Sequence, residues 1–214
     1  KKFNKRVYYI PNGFNQGLFT PQDKDKCRNE LGLDLDKKIL LSIGHLDECK
    51  GQIYLIRAIK ELLKTSKFKD IELYIIGEGS LRSQLEKEVS DLGLQDNVFL
   101  LGSKLHSEIP VWMNSCDIFV LPSLSESFGI VQLEAFACGK PVVATETTGS
   151  RQLIISNNYG LLCNIKDVTN LAMKISDSLN KEWSESEIIN YSGNFTWQMI
   201  INKTKRIYKE VVGS

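Results

Sequence analysis

From residue 38 onward the chain alternates between short, continuous apolar runs and longer stretches with helical period, and this alternation constrains the fold more than any other feature. The runs are Ile39–Ile43, Ile71–Ile76, Val98–Leu101, Ile118–Leu121, Val142–Ala144 and Leu161–Cys163. Segments that are apolar at nearly every position suit strands covered on both faces, as in parallel sheets. Between them, Leu55, Ile56, Ile59, Leu62 and Leu63 form one helical stripe, and Leu81, Leu85, Val89 and Leu92 form another. Ser80 is placed to cap the second of these helices and Gly93 to end it. The pattern predicts an α/β fold: a doubly wound, Rossmann-like parallel sheet of about six strands with helices on both faces.

The flanks read differently. Residues 1–37 carry Pro11-Asn12-Gly13, Gly17 and Pro21, turn formers that suggest an interdomain linker and lead-in. Residues 38–195 form the sheet domain. Residues 196–214 read as a terminal helix capped by Thr196, with Trp197, Ile200, Ile201, Ile207 and Val211 on its apolar side. Lys203, Lys205 and Arg206 are assigned to its solvated face. The chain starts at Lys1 without a signal-peptide pattern, which reads as an internal or carboxyl-terminal piece of a longer protein.

Composition narrows the class of function. With 27 Lys+Arg against 26 Asp+Glu, the chain has no charge surplus to neutralise nucleic-acid phosphates. No apolar run approaches the roughly 20 residues of a membrane-spanning helix. The five cysteines are scattered without a C-x-x-C pair, which points to reduced thiols in a cytoplasmic setting rather than to a metal cluster.

In open α/β sheets, ligands lie beyond the carboxyl ends of the strands, so the loops there are the candidates. The first carries Gly44, His45, Lys50 and Gly51; a lysine at a helix entrance suits an anion, although spacing alone favours a surface lysine beside a turn. The second carries Gly77-Glu78-Gly79, a fragment of the dinucleotide fingerprint whose third glycine is replaced by Arg82, which weakens a nicotinamide reading. The fourth is the richest. It places Glu126 before a helix expected over about 127–138, with Glu134 in that helix among Val131, Leu133, Ala135 and Phe136. At about 1.5 Å rise per residue the two acids lie roughly 10–12 Å apart, too far to share one glycosidic bond but suited to opposite ends of a long ligand. An acid in such an apolar helix needs a ligand or a structural partner.

These residues, taken together in order, resemble the carboxyl-terminal half of a retaining glycosyltransferase with two Rossmann-like domains, the GT-B architecture of the group called family four or group one. The resemblance rests on Ile10-Pro11-Asn12-Gly13, Gly44 with Lys50-Gly51, Ile76-Gly77-Glu78-Gly79, Val98–Gly102, Asp117–Ser123, the E-x7-E pair Glu126 and Glu134, and Gly139–Thr145. It implies that this half binds a nucleotide-diphosphate-sugar donor (UDP-, GDP- or ADP-linked) without a metal or other cofactor. Lys50 would contact the diphosphate and Glu126 the sugar hydroxyls, these two being the catalytic candidates. Phe128, Gly129, Ile130 and Val131 would offer backbone N–H groups, and Glu134 would accept from the ribose hydroxyls. Gly44, His45 and Gly77 would border the donor, and Lys104 and Leu105 its base. His45 stands where the family usually has arginine, which shifts phosphate neutralisation toward Lys50. The resemblance further implies an amino-terminal acceptor domain as partner, and leaves peripheral membrane contact of the whole protein open. Two alternatives remain: an epimerase-like enzyme acting on sugar nucleotides, or a non-catalytic module that binds them.

Overall fold

The computed structural model describes residues 7–65 and 68–212. The first six residues of the expected lead-in and the last two of the expected terminal helix lie outside the described residues. The strands are β1 (Lys38–Ile43), β2 (Ile71–Ile76), β3 (Val98–Leu100), β4 (Ile118–Leu121), β5 (Val142–Thr145) and β6 (Gly160–Cys163). They pair in the order β3-β2-β1-β4-β5-β6, every pairing parallel. The strand order therefore reverses between β1 and β4, the position at which open α/β sheets bind ligands.

Side chains alternate along each strand, and each alternate set meets its own apolar core. Ile39 and Leu41 of β1, with Phe119 and Leu121 of β4, face a core that includes Trp112 and Met113 of α4 (Ile109–Ser115), Leu133 and Phe136 of α5 (Ile130–Ala137) and Ile188 of α8 (Glu185–Ser192). Leu40, Ile118 and Val120 face the opposite core, with Leu55, Ile56 and Ile59 of α2 (Gln52–Leu63), Leu85 and Val89 of α3 (Arg82–Asp91) and Ile175 of α7 (Val168–Asn180). Having a core on each side is why the strands read as unbroken apolar runs. Both helical stripes of the sequence point inward here.

Several local features differ from the sequence expectation. The stretch 1–37 contains a helix, α1 (Lys24–Leu31), capped by Asp23 and packed on α4. Its Arg28 is 1% exposed, and Phe14 and Phe19 are also buried. Ser80 does not cap α3; Leu81 takes that position, its N–H donating instead to the Leu46 carbonyl. Gly93 ends α3 in the left-handed conformation, φ +66°. The helix expected from about residue 127 begins at Ile130, because Gly129 holds φ +80° and keeps 127–129 as loop. The terminal helix α9 runs Trp197–Val212, with the Met199 N–H donating to the Thr196 hydroxyl. All five cysteines are free, and burial pushes the Cys116, Cys138 and Cys163 thiols up to about 12. No described helix is long and apolar enough to cross a membrane.

Candidate functional site

The loop after β1 is set by close backbone packing. Gly44 donates to the Ile76 carbonyl at 3.0 Å, and the Gly77 N–H is bonded to Gly102. Gly77 holds φ +150° with its α-carbon against the Gly44 carbonyl, so any side chain there would overlap that oxygen. Gly77 and Gly79 thus serve the packing of two loops, and Gly77 sits behind Gly44. The Asp47 carboxylate then caps the short 3₁₀ turn Glu48–Lys50 by accepting from the Lys50 N–H at 3.1 Å.

The loop after β4 is fastened from three sides. Leu124 N–H donates to the Cys49 carbonyl at 2.7 Å, tying the two loops together. The Thr145 hydroxyl donates to the Ser123 carbonyl, and Gly149 N–H donates to the Glu126 carbonyl at 2.8 Å. Glu126 is thereby presented to Lys50, whose Nζ lies 2.8 Å from Glu126 Oε2 across the crevice.

Beyond Glu126 the chain turns into α5. The N–H groups of Gly129, Ile130 and Val131 have no acceptor among the described residues, as the first turn of a helix requires unless a side chain caps it, and none does. They point their partial positive charge toward the same space as Lys50. Glu134 follows on the next turn, with its side chain 12% exposed. Burial raises its pKa above the usual carboxylate range, a shift that the hydrogen bond from His106 only partly opposes. His106 Nε2 lies 3.2 Å from Glu134 Oε1.

These groups line one cleft of about 510 Å³. Of the residues singled out in the sequence, Gly44, His45, Lys50, Glu126, Phe128, Gly129, Ile130, Val131 and Glu134 lie along it, while Gly77, Lys104 and Leu105 do not. Leu105 is 70% exposed. The pair Glu126 and Glu134 does not lie on one helix axis, since Glu126 is in the loop. Five lining residues went unnoticed as site residues in the sequence: Asn12, Ile43, His106, Ile109 and Ser127. A signal for His106 did exist, because the chain has two histidines and both face this cleft.

A groove of about 570 Å³ between Pro11 and α9 is larger, and one of about 320 Å³ lies behind the β1 loop. The larger groove has no carboxylate in its lining; the smaller one has Lys166, the amino terminus of α2 and the acids Asp47 and Glu48, but its Asp47 is committed to capping the Glu48–Lys50 turn, whereas the crevice also holds the Lys50–Glu126 pair. Among the described residues no cluster of three or more His, Cys, Asp or Glu is placed to hold a metal ion. The arrangement offers one cation and three N–H donors to an anion, and two carboxylates to hydroxyl groups.

The glycosyl transferases group 1 family matches residues 23–195. The chain is 37% identical over 159 residues, 73% of its length, to a D-inositol 3-phosphate glycosyltransferase of Pseudarthrobacter chlorophenolicus, covering 38% of that protein. It superposes on sucrose-phosphate synthase from Thermosynechococcus elongatus with TM-score 0.80 and 27% identity, over 95% of this chain and 52% of that one. It superposes equally, with TM-score 0.80 and 25% identity, on the Anabaena protein HepE in complex with UDP and glucose, covering 96% of this chain and 56% of HepE. The chain spans between 36% and 54% of the curated relatives it matches.

Proposed function

This chain belongs to the group 1 glycosyltransferases, and from that premise we propose that its crevice binds a nucleotide-diphosphate-sugar donor, serving as the donor half of a retaining transferase. The observation that carries this reading is the convergence of Lys50, the open amino terminus of α5 and the two carboxylates on one cleft. A diphosphate fits between Lys50 and the N–H groups of Gly129–Val131, where helix dipole and ammonium act together. Glu126 and Glu134 are acceptor-only groups when ionised, and so are matched to sugar and ribose hydroxyls. HepE with UDP and glucose supports this assignment by likeness.

In the transfer step, negative charge builds on the departing diphosphate as the sugar takes on oxocarbenium character. Lys50 and the α5 N–H groups are fixed before that charge appears, which is the condition for electrostatic stabilisation without reorganisation. Because these groups meet the charge, donor binding in this proposal needs no metal. A second domain of the longer protein supplies the acceptor.

Calorimetric titration with UDP, GDP and ADP, repeated with a chelator, tests the proposal. One of the three is expected to bind, with equal affinity when the chelator is present, and Glu134→Ala is expected to weaken it. Failure of all three to bind would overturn the assignment, and loss of binding on chelation would overturn its metal-free part.

A further inference from the structure

Glu134 is an awkward residue in the place it occupies. α5 is otherwise Ile-Val-Gln-Leu before it and Ala-Phe-Ala after it, and five of its eight residues are buried. A carboxylate there has little water to orient it, and its only hydrogen-bond partner among the described residues is His106, on Oε1. No protein donor reaches Oε2 among those residues, so this oxygen is left for the cleft. The histidine therefore fixes the plane in which the second oxygen is presented.

His106 is itself held. The turn that carries it is closed from both ends: Leu105 N–H donates to the Glu108 carboxylate at 2.7 Å, and Glu108 N–H donates to the Leu105 carbonyl at 2.9 Å. Its ring lies against Phe19, with centroids 5.2 Å apart and planes at 57°. Phe19 is 1% exposed, so it supports the imidazole as a fixed wall. The imidazole is 62% exposed, and so remains at the mouth of the cleft and does not fill a core position.

We propose that His106 is a positioning residue that sets the carboxylate plane of Glu134, and so gives the site its preference for ribo- over 2′-deoxyribonucleotides. This inference rests on the reading of Glu134 as the ribose acceptor. Two vicinal hydroxyls can be accepted by one carboxylate only when its plane is fixed, Oε2 taking one and the second lone pair of Oε1, beside the His106 bond, taking the other; a freely turning carboxylate serves one hydroxyl nearly as well as two. Removing His106 thus costs the ribonucleotide one good hydrogen bond and leaves the deoxy analogue almost unaffected.

The test is calorimetric titration of the protein with UDP and GDP and with their 2′-deoxy counterparts, for the wild type and for His106→Ala, His106→Gln and Glu134→Ala. With one hydrogen bond at stake, the ribo-to-deoxy preference is expected to fall about fivefold in His106→Ala. His106→Gln, which keeps an N–H donor, restores part of it, and the melting temperatures of both variants stay near the wild type. A wild-type preference that Glu134→Ala abolishes and His106→Ala leaves intact would overturn this inference alone. A wild type without any preference, or one indifferent to Glu134→Ala, would overturn the ribose reading and this inference with it. A preference lost in His106→Ala only together with a large fall in melting temperature, and not recovered in His106→Gln, would reduce His106 to a packing role.

Discussion

Strands β1 and β4 carry a carboxylate–cation contact at each end, and the two contacts are built to opposite standards. At the amino end, Arg28 is fully enclosed: Nε donates to Ser115 O at 2.9 Å, Nη1 to Leu35 O at 2.8 Å and Lys37 O at 3.1 Å, and Nη2 to Asp117 Oδ2 at 2.8 Å. Asp117 also accepts from the Ile39 N–H at 2.8 Å and from Lys24 at 3.0 Å. At the carboxyl end, Lys50 and Glu126 meet at 2.8 Å with 28% and 15% of their side chains exposed, beside three N–H groups without acceptors among the described residues. The first arrangement has its hydrogen-bonding capacity used internally and can only hold the fold together. The second retains capacity, which is what a ligand site requires.

The sharpest way to break this contrast is mutation at the closed end. Arg28→Ala or Asp117→Ala strands a buried partner and is expected to lower stability by about 3–5 kcal/mol, read from the urea midpoint. Lys50→Ala should do the reverse: stability within about 1 kcal/mol of wild type, because the pair is partly exposed, but nucleotide affinity down about 10- to 100-fold, since a charge-assisted bond to phosphate is lost. Equal stability losses at the two ends would erase the distinction.

The pH dependence of stability sharpens it further. Burial alone would raise the Asp117 pKa, but the Ile39 N–H, Lys24 and Arg28 outweigh it and hold the carboxyl below its usual range. Its contribution is complete above the ordinary aspartate range and is lost as pH falls from there through the depressed value. Glu134, raised by burial, has the opposite sign: folded protein takes up a proton before unfolded chain does, so stability rises slightly as pH falls through the raised value. Asp117→Asn should flatten the acid limb in a pH series of urea melts, and Glu134→Gln should remove the shallower rise above it. The smallest effect expected is on Glu134→Gln itself at neutral pH, a gain of about 1 kcal/mol from removing an unfavourably buried charge, accompanied by weaker nucleotide binding.

Most of this layout can be traced to particular residues in the sequence. The six strands follow from apolar runs that need cover on both faces, while loop position and the cost of an acid in an apolar helix single out Lys50, Glu126 and Glu134 as candidates to which only the family resemblance gives roles. Asp117 was legible only as part of a motif; that it anchors the far end of β4 depends on Arg28, 89 residues away in sequence and inside a stretch whose turn formers hide a helix. Gly77 and Gly79 carry a ligand-binding signature yet meet backbone carbonyls, because close packing of loops and close approach of phosphate demand the same residue. His106 escaped because its contact spans 28 positions and no periodicity marks a loop. The late start of α5 turns on a single left-handed glycine.

Gly149 has a consequence of its own. Its α-carbon is wedged against the Phe128 main chain, leaving no room for even a methyl group, while its N–H grips the Glu126 carbonyl. Substituting alanine there would push the acidic loop outward and silence the crevice without removing any atom a donor would touch. If the crevice is the donor site proposed above, screens that rank positions by lost turnover would score this glycine alongside Glu126 itself, and only a bound-state measurement would tell the scaffold from the hand it steadies.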